Sequence, residues 1–233
     1  MHLNFAKNTF PANTKQRFGL MSSCHRLGMA LIASGLTALA GPVSSEGQAL
    51  PVTQATPGTN GPGGGFSSGV KSLSFEAGAV GGLKILGSSQ RHDLALASLA
   101  YGWMTGPVQG QDHWYRGNWE LRAEMFGGSE FSPGQYCLVG LTPHLRYDFA
   151  TGTRWIPFID AGAGLTATGI GRPDLSNDFE FNLQAGTGLH CLVRDNWAVT
   201  LEARYFHISD AGMTYPNNGV NGVMGMIGIT RFF

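Results

Sequence analysis

The chain has 233 residues, with 15 basic and 15 acidic side chains and a formal net charge of zero. It lacks the basic excess of a nucleic-acid-binding protein, so no nucleic-acid partner is predicted. Charged residues make up 13% of the chain, 35 residues are glycine, and no apolar run reaches the ~20 residues of a membrane-spanning helix.

The N-terminal segment, residues 1–40, is predicted to be a secretory signal peptide. A long apolar run starts directly after Arg26 and ends at residues 38–40 with Ala-Leu-Ala, which is typical of a cleavage site. Met21 lies closer to this run than Met1 does, so Met21 is an alternative translation start. Residues 41–71 are rich in Gly, Pro, Ser and Thr, and we predict that they form a disordered leader.

From residue 72 onward, apolar and polar side chains alternate along most of the chain. Between residues 197 and 205 the odd positions are apolar, whereas the even ones include Thr200, Glu202 and Arg204. Successive side chains of a strand point to opposite faces, so this alternation indicates β-strands. The eight predicted strands are at residues 72–84, 91–104, 117–128, 135–150, 155–169, 179–193, 197–210 and 220–233.

The polar face of these strands indicates where the fold belongs. It is dense in opposite charges that can pair with one another, while the apolar face carries Trp, Tyr and Phe near strand ends. We therefore predict an all-β, eight-stranded antiparallel transmembrane β-barrel in the bacterial outer membrane, its interior filled by side chains. The side chains predicted to face inward are Glu120, Arg122, His144, Arg146, Asp148, Asp160, His190, Glu202 and Arg204.

The connections between the predicted strands differ in length. Residues 151–154 and 194–196 are tight turns, whereas residues 170–178 and 211–219 are longer. Short periplasmic turns and long external loops are typical of outer-membrane barrels. Residues 105–116 are too long for a periplasmic turn, so the pattern is irregular there.

The cysteines give no indication of a cross-link. Cys137 and Cys191 fall on the fourth and sixth predicted strands, with the fifth between them. Neighbouring strands lie ~4.8 Å apart and the Cα atoms of a disulfide lie within ~7 Å, so this separation is too wide for a bond. No His, Cys or carboxylate group has metal-ligand spacing, and we predict neither a metal nor another cofactor.

The clearest chemical signal is a His and a Ser at the end of the seventh strand. His207 and Ser209 continue the apolar face of that strand, so both are predicted to lie on the lipid side. A Ser hydroxyl becomes a nucleophile when a neighbouring imidazole takes its proton. If residues 211–219 form a hairpin, Asn221 falls opposite His207 and is placed to orient the imidazole through its other nitrogen. This position suits an enzyme that cuts membrane lipids.

Two short runs in this part of the chain carry a family resemblance. His207-Ile208-Ser209 and Pro216-Asn217-Asn218-Gly219 are similar to motifs of the outer-membrane lipid A 3-O-deacylase (acyloxyacyl hydrolase) family, and the resemblance covers most of residues 72–233. It is supported by Arg-Gly-Asn-Trp-Glu-Leu at 116–121, Leu-Arg-Tyr at 145–147 and Arg-Trp-Ile-Pro at 154–157.

The resemblance implies an enzyme that hydrolyses the ester-linked acyl chain at the 3-position of lipid A, with lipopolysaccharide in the outer membrane as its partner. Matched by position, Ser209 is the nucleophile and His207 the base, while Asn217 matches an asparagine that helps to hold the oxyanion or the loop. The backbone amides of Ala211 and Gly212 are expected to assist there. Whether two barrels form a homodimer is left open by the sequence.

Two positions depart from the family pattern. The family has an acidic residue where this chain has Asn221, and an Asn where this chain has Asp210. In a serine protease, Asp to Asn in this role lowers turnover ~10⁴-fold, because an amide does not stabilise imidazolium as a carboxylate does. Asp210 is one residue out of phase and is predicted to point inward. The alternative hypothesis is therefore a structural or lipid-binding barrel with weak or no activity, and higher activity in Asn221→Glu would favour descent from an enzyme.

Overall fold

The computed structural model describes residues 64–233, which form one closed antiparallel barrel of eight strands. Each strand pairs with the next, and β1 pairs with β8 to close the ring. The strands are β1 (Lys71–Leu83), β2 (Asp93–Met104), β3 (Gly117–Ser132), β4 (Cys137–Phe149), β5 (Trp155–Thr168), β6 (Phe179–Arg194), β7 (Trp197–Ser209) and β8 (Val220–Phe232). No helix among the described residues is long and apolar enough to cross a membrane. The predicted eight-stranded antiparallel fold is confirmed, and the largest difference in strand bounds is the longer β3.

The structure includes several residues that precede the predicted start of the barrel at residue 72. The predicted signal peptide and most of the predicted leader lie outside the described residues, but the last residues of that leader, 64–70, pack against the barrel. Phe66 is 1% exposed and stacks on Phe232, with ring centroids 4.5 Å apart. Asn118 accepts from the Phe66 N–H at 2.8 Å and donates to its carbonyl at 2.9 Å. The prediction that the whole leader is disordered is therefore wrong for these residues, because Phe66 fills one end of the barrel.

The two ends of the barrel carry different connections. The loop end holds the connections at residues 84–92, 133–136, 169–178 and 210–219. The terminus end holds the start of β1, the end of β8 and the connections at residues 105–116, 150–154 and 195–196. The tight turns and the long loops thus lie at opposite ends, as predicted. The irregular stretch lies with the tight turns, where a bridge between Gln109 and Gly117 folds it back.

The outer surface is apolar between two aromatic bands. The exposed aromatic residues include Tyr101, Trp103, Trp119, Trp155 and Phe233 toward the terminus end, and Phe131, Phe179 and Tyr215 toward the loop end. Exposed aliphatic side chains between the bands include Leu121, Leu145, Ile159, Leu201 and Ile227. This is the surface expected of a barrel that faces lipid.

The interior is layered rather than polar throughout. One apolar layer lies toward the loop end and contains Val80, Phe126, Phe206, Ile208 and Met224. A second lies toward the terminus end and contains Phe66, Met104, Ile156 and Phe232. The charges predicted to face inward are all buried. The interior is therefore filled by side chains, as predicted.

Arg204 is the best-connected charge of the interior. Its Nε and Nη2 donate two hydrogen bonds to Glu202, both at 2.7 Å, and Nη1 donates to Glu124 at 2.5 Å. Arg146 donates to Glu202 and to Asp160, both at 2.8 Å. Buried charges are tolerated when they are paired and hydrogen-bonded in this way. These bonds connect β3, β4, β5 and β7 across the interior.

Two features of β4 concern its backbone and its cysteine. Pro143 has no N–H to donate, and the β4–β5 ladder is interrupted between the pairs Leu141–Leu165 and His144–Gly162. Cys137 and Cys191 lie near opposite ends of β4 and β6 and are not joined by a disulfide, as predicted.

Arg204→Met should destabilise the barrel, because it removes two hydrogen bonds from the buried Glu202 carboxylate and one from the buried Glu124 carboxylate. We expect the free energy of unfolding, measured by urea denaturation in detergent micelles, to fall by about 3–5 kcal/mol. Arg194→Met, at an exposed strand end, is the control and should change it by less than about 0.5 kcal/mol. Equal stability of the two variants would contradict a structural role for the Arg204 ion pairs.

Candidate active site

Strands β7 and β8 bring the predicted catalytic side chains together at the loop end. Along β7, Phe206 and Ile208 are buried inside the barrel, whereas His207 and Ser209 are half-exposed on the other face. In the β7–β8 ladder His207 is directly opposite Asn221, as the predicted hairpin requires. The period of two therefore places the His–Ser pair on the outer surface.

A chain of hydrogen bonds joins these three side chains. His207 Nε2 lies 2.9 Å from Ser209 Oγ, and His207 Nδ1 lies 2.8 Å from Asn221 Oδ1. Because the amide oxygen only accepts, Nδ1 carries the proton and Nε2 accepts from the Ser209 hydroxyl. In this tautomer the imidazole can take the serine proton.

Three further groups contact Asn221 and were not predicted. The Tyr205 hydroxyl donates to Oδ1, while Nδ2 donates to the carbonyl of Ile85 at 3.1 Å and to Ser88 Oγ at 2.7 Å. Tyr205 shares the outward face of His207, so the strand period could have found it. Ile85 and Ser88 are 136 and 133 residues away from Asn221 in the chain and carry no sequence signal.

One of the two backbone amides predicted at the oxyanion faces the nucleophile. The Ala211 N–H points at Ser209 Oγ over 3.5 Å. Ala211 has a φ of 59°, in the left-handed region that residues other than glycine rarely adopt. The Gly212 N–H instead donates to Asp210 Oδ1 at 2.9 Å, so its predicted oxyanion role is not supported.

The Pro-Asn-Asn-Gly run at residues 216–219 shapes the loop. Asn217 Nδ2 donates to both carboxylate oxygens of Glu180, at 3.1 and 3.0 Å. This donor is engaged by Glu180, so Asn217 anchors the loop and its predicted oxyanion role is not supported. Gly219 has a φ of +80°, and a Cβ there would lie 3.0 Å from Cε1 of His207. The glycine therefore leaves room for the imidazole.

Asp210 holds the start of the same loop. It is buried and accepts from the Thr214 hydroxyl and from the N–H groups of Gly212 at 2.9 Å and Thr214 at 2.8 Å. Burial on its own would raise the pKa of Asp210, but these hydrogen bonds lower it below its ordinary value. Its described hydrogen bonds go to this loop and to Asn177 Nδ2 at 3.3 Å, and not to His207, in agreement with the out-of-phase position.

An apolar groove lies beside Ser209 on the outer surface of β5, β6 and β7. Its volume is about 410 Å³, and its lining includes Ala163, Gly164, Leu165, Phe181, Leu183, His207, Ser209 and Ala211. Residues 163 and 164 lie where the β4–β5 ladder is interrupted. A long apolar chain in this groove would lie next to the Ser209 hydroxyl.

A second cluster joins the loops at this end. His92 lies between two carboxylates, with Nδ1 2.5 Å from Glu130 and Nε2 2.9 Å from Asp174. Asp174 also accepts from the N–H and the hydroxyl of Ser89 at 2.6 and 2.7 Å, and its carbonyl accepts from the Gly219 N–H at 2.8 Å. We call His92, Glu130 and Asp174 the loop clamp.

Two members of the loop clamp, His92 and Asp174, have shifted pKa values. Burial on its own would lower the pKa of His92, but the hydrogen bonds and charges of Glu130 and Asp174 raise it above its ordinary value. Burial on its own would raise the pKa of Asp174, but hydrogen bonds from Ser89 and His92 lower it. His92 in the clamp therefore keeps its proton to a higher pH than a free imidazole does.

The loop clamp should make stability depend on pH. Because the pKa of His92 is raised by folding, its contribution is complete below the unfolded value of about 6.5 and is lost as pH rises through the folded value. The lowered pKa of Asp174 gives a contribution that is present above about 3.9 and is lost as pH falls through the folded value. The melting temperature of the wild type in micelles should exceed that of His92→Gln most between about pH 4 and 6.5, and the difference should shrink toward pH 9. A difference that is constant across this range would contradict the assignment.

The fold and the site define a class of protein, an eight-stranded membrane barrel with an outward His–Ser pair at its loop end. A family-level comparison gives the same result, since the lipid A 3-O-deacylase (PagL) family matches residues 96–230. The chain belongs to this family, and the protein resides in the bacterial outer membrane. No curated protein matches the chain.

Solved structures show the same fold. The barrel is similar to the outer membrane enzyme PagL, with 22% identity, a TM-score of 0.50, and coverage of 67% of this chain and 97% of that one. It is also similar to Neisserial surface protein A, with 17% identity, a TM-score of 0.53, and coverage of 71% of this chain and 98% of that one. These likenesses confirm the transmembrane barrel that the sequence predicted.

Proposed function

We propose that this protein is an outer-membrane esterase that removes the 3-O-linked acyl chain of lipid A. Membership of the lipid A 3-O-deacylase family supports the substrate class. The observation that carries the proposal is the hydrogen-bond chain from Asn221 through His207 to Ser209, on the outer surface where a lipid can reach it.

Ser209 is the proposed nucleophile. Its Oγ attacks the ester carbonyl carbon while its proton moves to His207 Nε2, and a tetrahedral intermediate forms. The bond to the sugar oxygen then breaks, Nε2 gives its proton to that oxygen, and an acyl-enzyme and a free 3-hydroxyl remain. Water attacks the acyl-enzyme with His207 as base, after which the fatty acid leaves and Ser209 regains its proton.

The intermediate carries a negative oxygen that needs a hydrogen-bond donor. The proposed donor is the Ala211 N–H, which already points at Ser209 Oγ over 3.5 Å. Such bonds are often long before substrate binds and tighten in the reacting complex.

The apolar groove supports a fatty acyl substrate. It lies on the lipid-facing surface and includes both His207 and Ser209. An acyl chain that lies in the groove therefore keeps its ester close to the nucleophile, and burial of the chain against Leu165 and Leu183 favours binding.

Ser209→Ala should abolish deacylation. Purified barrel in detergent micelles is incubated with lipid A, and mass spectrometry should show the loss of one acyl chain with the wild type. Without the nucleophile the rate should fall roughly 10³-fold or more. Ser129→Ala, a half-exposed serine at the loop end of β3, is the matched control and should keep wild-type activity. Cleavage by Ser209→Ala at the wild-type rate would overturn the nucleophile, whereas an inactive wild type would favour a lipid-binding barrel without activity.

Ala163→Phe should narrow the groove and lower activity more on long acyl chains than on short ones. The added ring occupies space that a long acyl chain needs, so kcat/KM should fall roughly 10-fold for a long chain and less for a short one. Ala95→Phe places the same ring on the outer surface of β2, away from the groove, and should leave both values unchanged. Equal losses for long and short chains would contradict acyl binding in the groove.

A further inference from the structure

We infer that the loop between β1 and β2 sets the orientation of the Asn221 amide, that Ser88 is a positioning residue for catalysis, and that the site is built for a neutral amide instead of a carboxylate. This inference rests on the proposed function and deepens it. It depends on how the amide is held by its four partners.

Asn221 uses its full hydrogen-bonding capacity. Its oxygen accepts from His207 Nδ1 at 2.8 Å and from the Tyr205 hydroxyl. Its nitrogen donates to the Ile85 carbonyl at 3.1 Å and to Ser88 Oγ at 2.7 Å. A side-chain amide has two acceptor positions and two donors, and all four are occupied. The side chain is 1% exposed, so these four groups and not bulk water decide its orientation.

Backbone carbonyls decide which end of the amide faces His207. Tyr205, Ser88 and His207 can each donate or accept, so they fit either orientation. The Ile85 carbonyl can only accept, and so can the Gly219 carbonyl, which receives the Ser88 hydroxyl at 2.7 Å. The nitrogen is therefore held on the loop side and the oxygen on the His207 side. Through the amide, the loop selects the imidazole tautomer that activates Ser209.

The turn that presents the Ile85 carbonyl has an unusual backbone. Its central residues, Leu86 and Gly87, have φ values of 52° and 96°. A positive φ is rare for a bulky residue such as Leu86. The turn is closed by a hydrogen bond from the Ser88 N–H to the Ile85 carbonyl at 3.1 Å, which leaves the second lone pair of that carbonyl for Asn221.

A carboxylate at position 221 would meet the same carbonyl. Asp has the size of Asn, so one anionic oxygen would replace the nitrogen and face the Ile85 carbonyl with no proton between them. Ser88 could donate to that oxygen, but the Gly219 carbonyl would then lose its donor. On this geometry an acidic residue at position 221 should lower activity and not raise it.

The first test exchanges the amide for a carboxylate. Asn221→Asp and Asn221→Glu should both deacylate lipid A roughly 10-fold or more slowly than the wild type, because a buried acceptor is left against an acceptor. Micelle-refolded barrel is used, with folding verified by heat-dependent migration in gels. A variant of either kind that is faster than the wild type overturns the inference.

The second test removes the positioning hydroxyl. Ser88→Ala should lower kcat roughly 3- to 10-fold with little change in KM, since one hydrogen bond to the amide is lost. Ser88→Thr keeps the hydroxyl and should recover most of the activity. The matched control is Ser89→Ala on the same loop, whose hydroxyl donates to Asp174 and not to Asn221, and it should retain wild-type kcat. Equal kcat values for Ser88→Ala and Ser89→Ala count against a positioning role.

The third test reads the tautomer directly and needs no activity. The ¹⁵N shifts of the imidazole nitrogens, assigned by comparison with His207→Gln, should show a proton on Nδ1 in the wild type and a mixture of tautomers in Ser88→Ala. An unchanged tautomer in Ser88→Ala overturns the inference and leaves the proposed function standing. A wild type that cleaves no lipid A, but whose tautomer responds to Ser88→Ala, overturns the function and leaves the orientation of Asn221 standing.

Discussion

The pairing of β1 with β8 is the constraint on which the rest of the structure depends. It runs from Ser72–Phe232 to Leu83–Asn221 and leaves no strand edge unpaired. In lipid, unpaired backbone N–H and C=O groups have no water with which to form hydrogen bonds. A sheet can therefore cross the membrane only as a closed ring of strands. The same pairing places Asn221 beside the last residue of β1, and the loop that follows therefore begins next to the site. Closure thus removes the open strand edges and also brings Ile85 and Ser88 to the Asn221 amide.

The layers inside the barrel support this arrangement. Arg204 and its carboxylate partners connect strands that are far apart in the ring. Above them, Phe206 and Ile208 pack inward from the same strand whose other face carries His207 and Ser209. Because alternate side chains of one strand point opposite ways, a well-packed inner face holds the outer face in position. A site on strands is for this reason more rigid than a site on loops.

The loop end combines that rigid strand pair with connections that are fastened to one another. The loop clamp joins His92 to Asp174, and the Asp174 carbonyl binds the backbone of the loop before β8. The β1–β2 loop contributes to both networks through the adjacent residues Ser88 and Ser89. A neutral amide in the orienting position is consistent with this setting, because the backbone carbonyls of Ile85 and Gly219 can only accept hydrogen bonds and so fix its donor side.

Much of the fold and part of the site follow from the sequence alone. The alternation of apolar and polar residues predicted the strand number and the outward direction of His207 and Ser209, because successive side chains of a strand point to opposite faces. The hairpin through residues 211–219 likewise placed Asn221 opposite His207. Such predictions succeed because they concern neighbours along one strand or one hairpin.

Contacts between distant loops were decided by the tertiary structure. Nothing local to Ser88 indicates that it binds Asn221, nothing local to Asn217 indicates that Glu180 takes its donor, and Phe66 looked like part of a disordered leader. The sequence by itself determined which residues face the lipid and which the interior. Only the closed barrel decided which loop reaches the site and which way the amide points, because those contacts join segments far apart in the chain and exist only once the ring is complete.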